Sequence, residues 1–371
     1  MNMMKLLKNI GDVSDFEIQN QTISILRGGM MNRSVIIYFG LNRQEKILEN
    51  IIIPSFKVFD DNLWVYSKGK TFAFSKALNF KTPNIFIDFF PKYVGENLLI
   101  GDCKKNDERY LQARKLENEI VIWEIDFTST IFLIYSQIYI VKFSENLQKF
   151  NLFSYEIFTG NPLWHYTLPE GVYDFEDIIR TNHKGEIYRI IGQFNDVLWI
   201  AINNGYLLGL NVNDGNLVYE LAVPNNFSEF YPKESTRFNA NYSQLDEAEG
   251  KLFGISQNYY WEIDLQDPPN NYILYNIQTT CDAKNVVSKN IQYQTWQQDE
   301  IIFEEWSFAQ DPAYVGIFNR KTRQITWSSR ELGEEGVFKG INKAEYQGNR
   351  LYVLDKISTL HIFEQESEKI A

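Results

Sequence analysis

The chain has 371 residues, 44% of them hydrophobic and 15% aromatic, ample for a large core. Its 48 acids against 36 Lys and Arg leave a net charge of −12 and a pI near 4.9. There is no basic stripe beyond short pairs such as Lys104-Lys105, which excludes a nucleic-acid-binding module. No window holds the ~20 apolar residues of a spanning helix, so no membrane segment is expected.

The N-terminus, Met1 to Asp12, has no long apolar run, and acids soon follow. That composition predicts a cytoplasmic chain with no export signal. Two strand patterns come next, Gln21-Thr22-Ile23-Ser24-Ile25-Leu26 and Ser34-Val35-Ile36-Ile37-Tyr38. The turn between them, Arg27-Gly28-Gly29-Met30-Met31, lacks the Lys-Ser/Thr of a phosphate loop.

A degenerate unit then recurs along the chain. Its seven strand starts are Leu63, Leu98, Ile138, Leu198, Leu252, Ile301 and Leu351, separated by 35 to 60 residues. That mean spacing suits a four-stranded propeller blade of ~40–50 residues. The best copy runs Val197-Leu198-Trp199-Ile200-Ala201-Ile202, the turn Asn203-Asn204-Gly205, Tyr206-Leu207-Leu208-Gly209-Leu210, the turn Asn213-Asp214-Gly215, then Asn216-Leu217-Val218-Tyr219. The strand after the first turn sets a small residue between large ones: Phe72-Ala73-Phe74, Phe153-Ser154-Tyr155, Leu208-Gly209-Leu210 and Val315-Gly316-Ile317. A small side chain there lets an aromatic of the adjacent blade lie close. An aromatic follows the second turn at a constant offset, as Trp123, Trp164, Tyr219 and Trp327, and reads as a wedge between blades. Gly160 and Gly215 supply the positive φ that tightens that turn.

This pattern resembles the quinoprotein-type, or PQQ-like, β-propeller repeat, most closely over residues 195–220 and 138–166. The WD-repeat family fits less well, because neither its Gly-His nor its Trp-Asp dipeptide occurs. The resemblance implies an all-β fold, a single β-propeller over residues 1–371 with four-stranded blades; the seven strand starts give seven blades, with six or eight as the alternatives. An N-terminal strand within ~21–40 would complete the last blade and remove an exposed edge. Residues 364–371 read as a frayed tail. A quinoprotein dehydrogenase would further need a quinone, a calcium site, a catalytic Asp and commonly an adjacent cysteine pair. The two cysteines here, Cys103 and Cys281, are far apart, so the repeat implies architecture and no cofactor.

Chemistry-bearing motifs are sparse. His165, His183 and His361 show no metal-ligand spacing. Cys103 and Cys281 read as two unrelated buried thiols. No Gly-x-Ser-x-Gly occurs, and Asn211-Val212-Asn213-Asp214-Gly215 is a blade turn rather than a calcium loop. No catalytic, cofactor or metal residues are assigned. Three loops mix aromatics with acids or stand longer than a hairpin needs. Their candidate partner-binding residues are Tyr173, Asp174, Phe175, Glu176 and Asp177, then Phe227, Phe230 and Tyr231, then Trp306 and Phe308. Aromatic anchors with acidic neighbours suit a basic protein partner; the alternative is that these rings cap the core. The expectation is a non-enzymatic protein-binding propeller, in its specific form an immunity-type protein that neutralises a toxin or effector. The alternatives are a scaffold subunit, or a small-ligand sensor or enzyme using a propeller face.

Overall fold

The structure, a computed structural model, describes residues 4–365 apart from 20–21, 29–32, 40–42, 52–54, 60–61, 68–69, 76–83, 96, 106–107, 127–131, 145–148, 177–180, 204, 222–242, 257–258, 269–270 and 306–311. Strands dominate because β-branched and aromatic residues do. Val197–Ile202 reads Val-Leu-Trp-Ile-Ala-Ile and is buried along nearly its whole length. A strand covered on both faces is an unbroken apolar run. Leu217–Leu221, fourth in the same sheet, fully buries only Leu221. Burial therefore falls from the middle of a sheet to its outer edge.

The described strands form eight four-stranded antiparallel blades, an all-β propeller. In chain order they span residues 13–51, 55–87, 89–126, 132–167, 187–221, 244–276 and 291–328, and the eighth combines 341–365 with Met4–Ile10. Among the described residues the pair Ser256 with Gln292 links the sixth and seventh. Among the described residues no helix is long and apolar enough to cross a membrane.

Eight blades replace the seven expected. The additional one is the first, where Thr22–Arg27 pairs with Arg33–Phe39 from Thr22↔Phe39 to Arg27↔Ser34. These strands therefore do not complete the last blade. Met4–Ile10 does so, pairing with Leu360–Gln365. Sixty-two residues precede Leu63, room for a whole blade of ~40–50 residues and one more strand. Glu364 and Gln365, expected in a frayed tail, belong to that last pairing, while 366–371 lie outside the described residues.

Contacts divide the chain into two compact units. One comprises Met1–Val94, Ser256–Tyr259 and Tyr275–Ala371; the other comprises Gly95–Ile255 and Tyr260–Leu274. The first unit holds a cluster around Ile302, Val315, Trp327, Val353 and Phe363, and a second around Phe16, Ile25, Tyr352 and Ile362. The second unit holds a cluster around Tyr139, Leu152, Trp164, Leu198 and Leu210, and another around Trp199, Leu252 and Trp261.

At Gly209 and Gly316 the small residue of the third strand makes room within its own blade, where a Cβ would strike Val197 and Phe303, and not across blades as expected. It stands opposite a large second-strand ring: Trp64↔Ala73, Tyr139↔Ser154, Trp199↔Gly209 and Phe303↔Gly316. The fourth-strand aromatic does reach the next blade. Trp123 Nε1 donates to Ile157 O at 3.0 Å, and Trp164 Nε1 donates to Val212 O at 2.6 Å. Tyr219 differs, stacking on Trp199 of its own blade at 5.7 Å.

Candidate functional site

Between the fourth and fifth blades the chain leaves the meander after Leu168 and returns at Ile187. The excursion carries a two-stranded ribbon, Phe175–Glu176 against Asn182–His183, paired Phe175↔His183 and Glu176↔Asn182.

Its base is clamped by three residues. Tyr173 is 2% exposed, its ring set edge-on to Tyr206 at 5.3 Å. The Tyr173 hydroxyl donates to Glu220 Oε2 at 3.2 Å, and burial pushes its pKa up, with the charges of Tyr166 and Glu220 adding to the rise. Gly185 packs so closely on Tyr173 that a Cβ there would strike it. Asp174 Oδ1 accepts from Gly185 N at 2.9 Å. Asn203, at the end of Val197–Ile202, closes the other side. Its Oδ1 accepts from Glu186 N at 3.0 Å and its Nδ2 donates to Lys184 O at 3.0 Å. The outer residues Val172, Asp174, Thr181, Asn182, His183 and Lys184 are exposed. The ribbon is thus held from below and open above.

The ten partner-binding candidates separate accordingly. Tyr173 faces inward and supports the ribbon. Asp174 is exposed at its base. Phe175 and Glu176 form the first ribbon strand. Their side chains, together with Asp177, Phe227, Phe230, Tyr231, Trp306 and Phe308, lie outside the described residues. Sequence reading passed over Gly185 and Asn203. Their only signals were a glycine after Lys184 and an Asn-Asn-Gly turn.

The stem of the 306–311 segment has its own clamp. Glu304 and Glu305, each 4% exposed, end the strand Glu300–Glu305. Arg330 donates to both Glu305 oxygens, from Nε at 2.9 Å and from a terminal amine at 2.6 Å, while its guanidinium lies 3.8 Å from the Tyr314 ring centroid. Glu304 Oε2 accepts from Gln294 Nε2 at 2.8 Å, but its Oε1 is buried without a described partner. Burial raises the Glu304 pKa, against the lowering effect of Ile341 N, Lys356 and Gln294.

Two of the three histidines, His361 and His165, make contacts within their blades. His361 Nε2 meets Asp355 Oδ2 at 3.0 Å, and Asp355 Oδ1 accepts from Ile357 N and Thr359 N. That dyad fastens the turn it stands in, with Phe338 edge-on at 5.0 Å. His165 stacks on Phe153 at 5.9 Å, and His183 lies in the ribbon. Cys103 and Cys281 are buried free thiols, and burial pushes the Cys281 pKa to about 12.

No family model and no curated protein matches the chain. Solved structures do. BamB from Moraxella catarrhalis aligns over 100% of this chain and 99% of its own, with 11% identity and a TM-score of 0.55. Sqt1 of Saccharomyces cerevisiae aligns over 98% and 99%, with 11% identity and a TM-score of 0.59. The computationally designed Ika8 protein aligns over 97% and 98%, with 8% identity and a TM-score of 0.56. At such identities the likeness carries the fold alone.

Proposed function

We propose that this chain is a non-enzymatic, cytoplasmic protein-binding propeller whose partner is basic. In its specific form it is an immunity-type protein that neutralises a toxin or effector. The observation that carries the reading is the clamped ribbon. Tyr173, Gly185 and Asn203 fix its base while Val172, Asp174 and His183 stay exposed, so binding loses little ordering entropy. The net charge of −12 would speed encounter with a cationic partner.

The test is affinity capture from lysate of the source cells at low and physiological salt, with bound proteins identified by mass spectrometry. One stoichiometric basic partner at both salts is expected. Asp174→Asn with Glu186→Lys should weaken it, since Asn keeps an acceptor for Gly185 N while the charge changes. Co-expression should relieve any growth inhibition the partner causes. A partner retained at full strength by that double variant would overturn the ribbon assignment. A partner with no activity to relieve would overturn the immunity role.

A further inference from the structure

Fourth strands in this fold carry a recurrent bulge, one residue before the wedge aromatic. In the third blade Ala113 pairs with Trp123 and Arg114 with Val121, leaving Ile122 extra. Leu163, Val218 and Thr326 are extra in the same way in the fourth, fifth and seventh blades. A bulge breaks the period of two, and in the third, fourth and fifth blades two successive side chains turn outward before the aromatic.

What stands at this corner differs between blades. In the third, fourth and fifth it is aliphatic and open: Val121 is 45% exposed, Ile122 42%, Leu163 47%, Leu217 40% and Val218 48%. In the seventh, Ile325 is buried and Thr326 is half-buried, its hydroxyl donating to Ile317 O. Thr326 shows that the bulge itself does not require an aliphatic residue. The inward-turned tryptophans tie the first two corners to the blade that follows each. Trp123, next to Ile122, donates to Ile157 O, beside Phe158, which is 67% exposed. Trp164, next to Leu163, reaches Val212 O in the turn before Leu217. Exposed apolar residues gathered at linked corners of successive blades mark an interaction surface.

Acids flank the stripe. Residues 115–126, 156–167 and 211–221 contain seven carboxylates and a single lysine, Lys115. Lys105 pairs with Glu124 and Arg114 approaches Glu119 at 3.9 Å, while Glu117, Asp126, Glu156, Asp214 and Glu220 have no ion-pair partner among the described residues. The bulges disrupt the outer ladder, so an added strand is a poor fit. A helix laying an apolar face on the stripe needs no ladder. We infer that the bulge corners of the third, fourth and fifth blades form a docking stripe for a basic amphipathic helix of a protein partner. This surface shares with the proposed function its class of ligand; none of its residues lies in the ribbon, and only Glu220, which accepts from Tyr173, touches the ribbon's base.

The test uses two labelled peptides of about 18 residues, long enough to form a helix. Both carry the same leucine positions, one with lysines on the polar face and one with glutamates. Fluorescence anisotropy should show the Leu/Lys peptide binding the full chain and the Leu/Glu peptide failing to bind. Ile122→Thr/Leu163→Thr/Val218→Thr keeps every charge and copies Thr326. It should weaken Leu/Lys binding at least ~10-fold, while Asp174→Asn/Glu186→Lys leaves it unchanged. If the triple variant loses its near-ultraviolet dichroism, Leu163→Thr and Val218→Thr are read singly and should each weaken binding. Unchanged binding in the threonine variants, or equal binding of the two peptides, would overturn the inference. So would concentration-dependent self-association that the threonines abolish, since the stripe would then take a second copy of the chain.

Discussion

The indole of Trp164 lies on Gly215 of the following blade, so close that a Cβ there would sit 2.5 Å from ring atom Cε3. Trp123 treats Gly160 alike, with a Cβ 2.7 Å from Cγ. Both glycines have positive φ, +74° and +69°. The wedge therefore needs glycine twice over, for backbone conformation and for the space its ring fills. Gly171 separates the two demands: φ is +72° and nothing lies within 4 Å of its missing Cβ. Gly171→Ala should lose only the left-handed cost of ~1–2 kcal/mol. Gly215→Ala should lose that and a further ~1–3 kcal/mol of overpacking. Urea unfolding of the two variants measures the difference, and equal losses would show that the ring yields freely.

The wedge indoles differ in their polar end. Trp164 Nε1 donates to Val212 O, whereas Trp327 Nε1 is buried with no described partner. Trp164→Phe should strand a buried carbonyl and cost about 1–3 kcal/mol beyond lost packing. Trp327→Phe removes a group that already lacks a partner, so its loss should be smaller. Thermal unfolding of the pair, compared with wild type, reads the order directly.

The blade pattern was legible where tight turns and bulky second strands coincide, as at Val197–Ile202. The wedge was legible at Trp164 from its offset after Gly160; Tyr219 keeps the same offset from Gly215 but stacks within its own blade. The bulge also left a trace. Val121-Ile122-Trp123 and Leu217-Val218-Tyr219 set two apolar residues before the aromatic and break the alternation. The first blade was missed because Arg33–Phe39 offers no small residue between large ones and no wedge follows it. Met4–Ile10 carried no strand expectation, since Lys5 and Lys8 interrupt its apolar residues and only Met4 and Ile10 are buried. Tyr173 could not be sorted from its exposed neighbours, because its burial depends on Gly185 and Tyr206, far along the chain.

The Arg330–Glu305 pair holds the stem of the 306–311 segment, and Glu305 is nearly inaccessible to water. Breaking one side of a buried pair leaves an uncompensated charge, which costs ~3–5 kcal/mol. Arg330→Met should therefore destabilise the chain by about that much. Adding Glu305→Gln should restore most of the loss, because neither charge then remains. A double variant no better than the single would assign the loss to packing of Arg330 on Tyr314.

Glu304 links stability to pH. Its folded pKa stands above the ordinary carboxylate value of 4.5, chiefly because burial disfavours the charged form. Between those two values the folded chain keeps a proton that the unfolded chain has released. Stability from this group therefore falls as pH rises from about 4.5 through the folded pKa, and levels off above it. Glu304→Gln is neutral throughout, so it should flatten that slope and gain on the order of 1 kcal/mol at neutral pH, where a buried charge with one unpaired oxygen is no longer maintained. Glu300 and Glu345, whose pKa values burial also raises, should leave a residual slope of the same sign. Urea midpoints measured from pH 5 to pH 8 test this. A variant as steep as wild type would mean that Glu304 is ionised and compensated in the folded chain.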